Sequence, residues 1–108
     1  MRPYKPPTNE ALLTKGIRRL LSAAGIFHWK EHGGLGSAPG VPDLVGCYKG
    51  CMFAIEVKAP RGRVSPQQQA FIDNINAAGG IAFVAWSIDD VIEGLGLQDR
   101  FLIPTTRG

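Results

Sequence analysis

The sequence predicts one α/β domain, a mixed β-sheet flanked by helices, with its elements in the order α-β-β-β-α-β-α. Three observations carry that reading. The segment "DLVGCYKGCMFAIEVK", residues 43–58, is two apolar runs joined at Lys49-Gly50, the pattern of a tight β-hairpin. The segment "SPQQQAFIDNINAAGG" is a helix with clear start and stop signals. It leads into "IAFVAWS", a continuous apolar run suited to a strand buried on both faces. A helix lying between the hairpin's second strand and another strand makes a crossover, and so a parallel pairing.

The remaining elements follow in chain order. "MRPYKPP", residues 1–7, is a Pro-rich basic arm, extended and flexible. Thr8 or Asn9 caps a helix that runs to about Ala24 and stops at Gly25. Leu13, Ile17, Leu20, Leu21 and Ala24 form its buried stripe, with Lys15, Arg18 and Arg19 off it. Glu10 lies in line with that stripe, in the first turn. "IFHWK" reads as a short strand, and "EHGGLGSAPGVP" as a Gly/Pro-rich loop. After the hairpin comes a basic loop, "APRGRV". In the next helix Ser65 is the N-cap, Pro66 the first helical residue, and Gln68 completes a capping box. Its apolar stripe is Phe71, Ile72, Ile75 and Ala78. Ser87 caps a last short helix through about Leu95, and Phe101, Leu102 and Ile103 could add an edge strand.

Composition limits the function classes. At 108 residues the chain makes a single domain, 1–108, with one core. Hydrophobic content of 44% and charged content of 19% belong to a globular chain rather than a disordered one. No apolar run approaches the roughly 18 residues of a membrane helix. The N-terminus lacks the apolar core of a signal peptide. A cytoplasmic protein with no membrane partner is therefore expected. The net charge of +3 is compatible with a nucleic-acid partner without requiring one. In a hairpin turning at Lys49-Gly50, Cys47 and Cys51 point to opposite faces, which argues against a disulfide between them; both are expected to be small buried hydrophobes.

The hairpin holds charges that a fold alone does not need. With a two-residue turn at Lys49-Gly50, Tyr48 faces Cys51 and, counting outwards, Asp43 falls opposite Glu56. Lys58 shares the face of Glu56. Directly opposed residues have Cβ atoms about 4.5–5.5 Å apart, and like charges there destabilise a sheet. A divalent cation relieves the repulsion by taking an oxygen from each acid, and Mg²⁺ in such a site keeps waters and room for phosphate oxygens. Lys58 could orient or deprotonate an attacking water, or hold a phosphate. Pro42 fixes the angle at which the chain enters Asp43.

Pro42-Asp43 followed by Glu56-Val57-Lys58 resembles the PD-(D/E)xK nuclease motif. "GVPDLVG" before a short hairpin, then "AIEVK", a Gly-bearing basic loop, "SPQQ" opening a helix that ends in "AAGG", and "IAFVAWS" together look like the virus-type replication-repair nuclease domain, VRR-NUC. The likeness runs from about Glu10 to Leu95. It implies a restriction-endonuclease-like fold and a nuclease that uses Mg²⁺ or Mn²⁺. By that likeness Asp43 and Glu56 match the metal-ligand carboxylates, the carbonyl of Val57 a backbone ligand, and Lys58 the catalytic lysine. Glu10 matches a first-helix acid that helps hold the metal or its water shell. Gln68 matches a catalytic-site glutamine. The plainer roles of the last two are a favourable charge at a helix start and the capping box, and for Gln68 the two roles would have to alternate. Where many family members carry arginine or asparagine, before the Gly-rich loop, this chain reads "FHWKEHGG". Lys30 takes that place, with His28 and His32 nearby.

For DNA contact, Lys30, Arg61, Arg63, Arg2 and Lys5 are the candidates, as phosphate-binding cations that read no sequence. The expected activity is metal-dependent, structure-selective endonucleolytic hydrolysis of branched DNA such as Holliday junctions. A homodimer is expected, in a bacterial or phage-infected cell, with a helicase or repair partner left open. The alternatives are a flap, single-strand or restriction-like nuclease on the same fold, a non-catalytic DNA-binding module, or an interaction subunit.

Overall fold

The computed structural model describes residues 8–32 and 39–101. The expected arm with Arg2 and Lys5, the centre of the Gly-rich loop, and Leu102-Ile103 lie outside those residues. The elements are α1 (Asn9–Ala23), β1 (Phe27–Lys30), β2 (Leu44–Tyr48), β3 (Cys51–Val57), α2 (Pro66–Ala77), β4 (Ile81–Ala85) and α3 (Ile88–Gly94). This is the predicted order.

Each helix starts on a hydroxyl. Thr8, Ser65 and Ser87 accept the N–H of Ala11, Gln68 and Asp90, satisfying donors that the first turn leaves without partners. Each ends alike: the N–H groups of Ile26, Gly80 and Leu97 reach back to the carbonyls of Leu21, Ile75 and Ile92 at 2.8–2.9 Å. Short helices are thereby closed at both ends by residues that the sequence displays.

The described sheet has four strands in the order β1-β2-β3-β4. β1–β2 and β2–β3 are antiparallel and β3–β4 is parallel, as the crossover requires. The hairpin turns at Lys49 (φ 51) and Gly50 (φ 77). Left-handed backbone at both positions is the twist-compatible two-residue turn that the spacing demanded. Alternation along the strands makes two layers. Leu44, Phe53, Ile55, Val57 and Ala85 pack against Ile17 and Leu21 of α1 and Val91 and Ile92 of α3. On the other face Val45, Ala54 and Ala82 pack against Ile72 of α2.

Several expectations are corrected. β4 is an edge strand of the described sheet and is only partly covered: Ala82 and Ala85 are buried, Ile81, Phe83 and Val84 are not. Of the α2 stripe only Ile72 is buried, because the helix is short and covers just β3, β4 and part of β2. Cys47 is exposed and Cys51 half-buried, both free; the Cys51 thiol donates to the Gly79 carbonyl at 3.5 Å, just past the end of α2. Ile26 is buried ahead of β1 rather than within it, and Phe101 sits in a bend. No helix is long and apolar enough to cross a membrane, among the described residues.

Candidate active site

The candidate residues meet where β2 begins and β3 ends. The register pairs Tyr48 with Cys51 and Leu44 with Ile55, so the next pair outward is Asp43 and Glu56. Asp43 occupies a bend just ahead of β2, not the strand itself.

Asp43 is fixed by its surroundings. Pro42 before it is fully buried. The carbonyl of Asp43 accepts the N–H of Glu31 at 2.7 Å. Its Oδ2 accepts the N–H of Val57 at 2.8 Å, so the acid of one strand caps the end of the other. Three residues before Asp43, Gly40 (φ +85) lies against the first turn of α2. A Cβ there would stand 2.5 Å from the carbonyl oxygen of Gln67 and 2.9 Å from the N of Gln68. Only glycine satisfies both the backbone angle and the approach.

Glu56 is 2% exposed, which is unusual for an acid with no cation in contact among the described residues. Burial pushes its carboxyl up to about 8, helped by a hydrogen bond with Asp43 and the Asp43 charge, and slightly by Glu10; Lys58 opposes the shift. Two carboxyls this close favour keeping one of them protonated unless a counter-charge is present.

Gln68 corrects the expectation that its two roles alternate. Its Oε1 accepts the N–H of Ser65 at 2.8 Å, and its Nε2 donates to Glu56 Oε1 at 3.3 Å. The capping box and the contact with Glu56 use opposite ends of one amide and coexist. Lys58 follows β3. Its N–H donates to the Ala85 carbonyl at 3.0 Å, and its aliphatic stem passes 3.2 Å from where a Cβ of Gly62 would lie.

Glu10 sits in the first turn of α1, half-buried, near enough for its charge to act on Glu56. It does not complete a cage: among the described residues no three acidic, cysteine or histidine side chains converge on one point. The donors that do converge are hard oxygens, two carboxylates with the Val57 peptide beside them. Such a set fits Mg²⁺ or Mn²⁺, which bind through one or two carboxylates and retain water.

The expected DNA contacts are less concentrated. Arg61 and Arg63 are exposed in the loop after Lys58. Lys30 is exposed at the end of β1, on the side of the sheet that α1 covers. There it joins Lys15, Arg18 and Arg19, which sequence reasoning noted only as lying off the apolar stripe.

An acid capping the end of the neighbouring strand, a buried acid opposite it, a lysine two residues on and a crossover helix supplying a glutamine stand together on a mixed sheet consistent with the restriction-endonuclease-like fold. The VRR-NUC domain matches residues 7–88. The chain belongs to that family, and membership carries a nuclease-type function with DNA as the implied substrate. No curated protein sequence matches it significantly.

Proposed function

We propose that this protein is a divalent-metal-dependent, structure-selective DNA endonuclease that hydrolyses phosphodiester bonds in branched DNA such as four-way junctions, and that it works as a homodimer. The observation that carries the chemistry is Glu56: a buried carboxyl beside a second acid, its proton held to about pH 8. A cation in that place replaces the proton and removes the repulsion.

Asp43, Glu56 and the Val57 carbonyl would hold the ion, with Glu10 acting through water. When bound, Mg²⁺ or Mn²⁺ supplies Lewis acidity at the phosphate and stabilises the leaving oxygen. The chain's own residues do the rest. Lys58 would orient the attacking water or, as the neutral amine, accept the water's proton, with the leaving oxygen protonated from solvent. Gln68 fixes the rotamer of Glu56 through Nε2 while its Oε1 is anchored on the backbone of Ser65. Lys30, Arg61 and Arg63 hold phosphates without reading bases. A two-fold dimer presents two such centres to a two-fold junction.

The test is cleavage of an end-labelled four-way junction with Mg²⁺, Mn²⁺ or EDTA, beside flap, duplex and single-stranded substrates. Wild type is expected to cut the junction best, only with metal, and Asp43→Ala is expected to lose at least about 100-fold in rate. Preferential cutting of flaps or single strands moves the assignment to that substrate class. Junction binding without cutting under either metal makes the chain a binding module.

A further inference from the structure

The α1 face beside β1 carries a second cationic surface. Lys15, Arg18 and Arg19 of α1 and Lys30 of β1 line an open groove of about 500 Å³, with the hydroxyl residues Thr14 and Ser22. No acidic residue lines it. Lys15, Arg18, Arg19 and Ser22 stand at i, i+3, i+4 and i+7, a single stripe along the helix. Like charges at these spacings each cost an isolated helix about 0.2–0.5 kcal/mol. An interspersed glutamate would relieve that cost, and α1 has none past its first turn.

The groove is also partly organised. His28 Nδ1 lies 2.9 Å from the Ile26 carbonyl, which makes Nδ1 the protonated nitrogen. Nε2 is then an acceptor, and the Arg18 Nε–H donates to it at 3.5 Å. One N–H of Arg18 is thereby committed, and the terminal pair of amino groups is the fork that suits a phosphate.

The placement relates the groove to the catalytic centre. α1 begins there, at Glu10, and its cations follow along the axis. At 1.5 Å per residue, Arg18 and Arg19 stand about 12–14 Å beyond Glu10. With a rise of 3.4 Å per base pair, that is roughly four base pairs of duplex.

We propose that the α1–β1 groove binds the phosphodiester backbone of a DNA arm about three to five base pairs from the cut. The proposal rests on the nuclease reading and adds a place for affinity outside the cleft. Lys15 and Arg19 neutralise phosphates there, and Arg18, steadied by His28, engages one in bidentate fashion.

The experiment compares wild type, Lys15→Gln/Arg19→Gln, and Lys49→Glu. Lys49→Glu makes the same net charge change at the hairpin turn, away from the groove. Fluorescence anisotropy on a labelled four-way junction in EDTA, over a salt series, reads affinity and its salt slope. Single-turnover cleavage with Mg²⁺ at saturating DNA reads the chemical step. The double variant is expected to lower the slope of log K against log salt by about 1.8, two phosphates at about 0.9 each, and to weaken low-salt binding on the order of tenfold or more. Its saturating rate should match wild type, its melting temperature should equal or slightly exceed wild type because like charges on α1 are removed, and Lys49→Glu should keep the wild-type slope. A double variant with wild-type slope and affinity, from an enzyme that still cuts, overturns the groove and leaves the nuclease reading standing. An equal loss in Lys49→Glu reduces the effect to net charge and overturns the groove as well. A wild type that neither binds nor cuts any DNA removes both readings.

Discussion

Glu56 is the residue whose chemistry is most displaced from its ordinary state. Its carboxyl, normally near 4.5, is held up to about 8 by burial and by Asp43. The native metal-free protein therefore carries a proton there that the unfolded chain has lost. Between those two values the folded state binds more protons, so stability falls as pH rises, fully present below about pH 4.5 and gone above about pH 8. Thermal melts in EDTA should show a melting temperature that declines across that window. Glu56→Gln, neutral at every pH and close in shape, should flatten the decline. Added Mg²⁺ should restore the melting temperature most at the alkaline end, where no proton competes for the oxygens. A flat wild-type profile would mean that Glu56 is solvated in solution. The acids were legible in the sequence because a two-residue turn fixes register by counting. The double use of Gln68 was not, because a capping motif states which backbone group an amide meets but not where its other end points.

At the scale of elements, the helices and the hairpin could be read almost to the residue, since caps, helix-stop glycines and a left-handed turn are local signals. What escaped was coverage. The apolar run of β4 reads as buried on both faces, yet its burial depends on how far α2 and α3 extend over the sheet, a non-local fact. The same limit hid the contact of the "GVPD" loop with α2. Gly40 touches the backbone of Gln67 and Gln68, so the loop that delivers Asp43 and the helix that delivers Gln68 rest on each other. Gly40→Ala should force them apart. It combines a strained φ with a contact at 2.5 Å, so a loss of roughly 1–3 kcal/mol is expected. Cleavage should fall further than the fraction folded, because the displacement separates Asp43 from Glu56 and Gln68. Urea unfolding beside single-turnover cleavage measures both. Activity that simply tracks the folded fraction would make Gly40 structural only.

For the whole molecule, the distribution of surface bears on assembly. Phe27 is 70%, Trp29 43% and Met52 47% exposed. The register places Phe27 beside Cys47 and Cys47 beside Met52, and Trp29 beside Val45, all on the α2 side of the sheet. The two rings lie 5.7 Å apart and leave one end of that face apolar. Phe71, Ile75 and Ala78 of α2 continue it around an open cavity of about 630 Å³ shared with Met52. A run of exposed aromatic and thioether surface this concentrated marks an interaction surface more often than a solvated one. It lies on the opposite side of the sheet from the α1 groove, so one side could meet a second copy while the other meets DNA. Sedimentation equilibrium should give about twice the 11.6 kDa chain mass. Phe27→Glu combined with Met52→Glu places two charges in the proposed contact and should shift the protein toward monomer. Paired, symmetric incision of a four-way junction should be lost with the dimer, while metal-dependent nicking of simpler DNA survives, since neither residue belongs to the catalytic cleft. A wild type that sediments at the chain mass at working concentration would remove the junction-resolving form and leave the hydrolytic chemistry of Asp43, Glu56 and Lys58 intact.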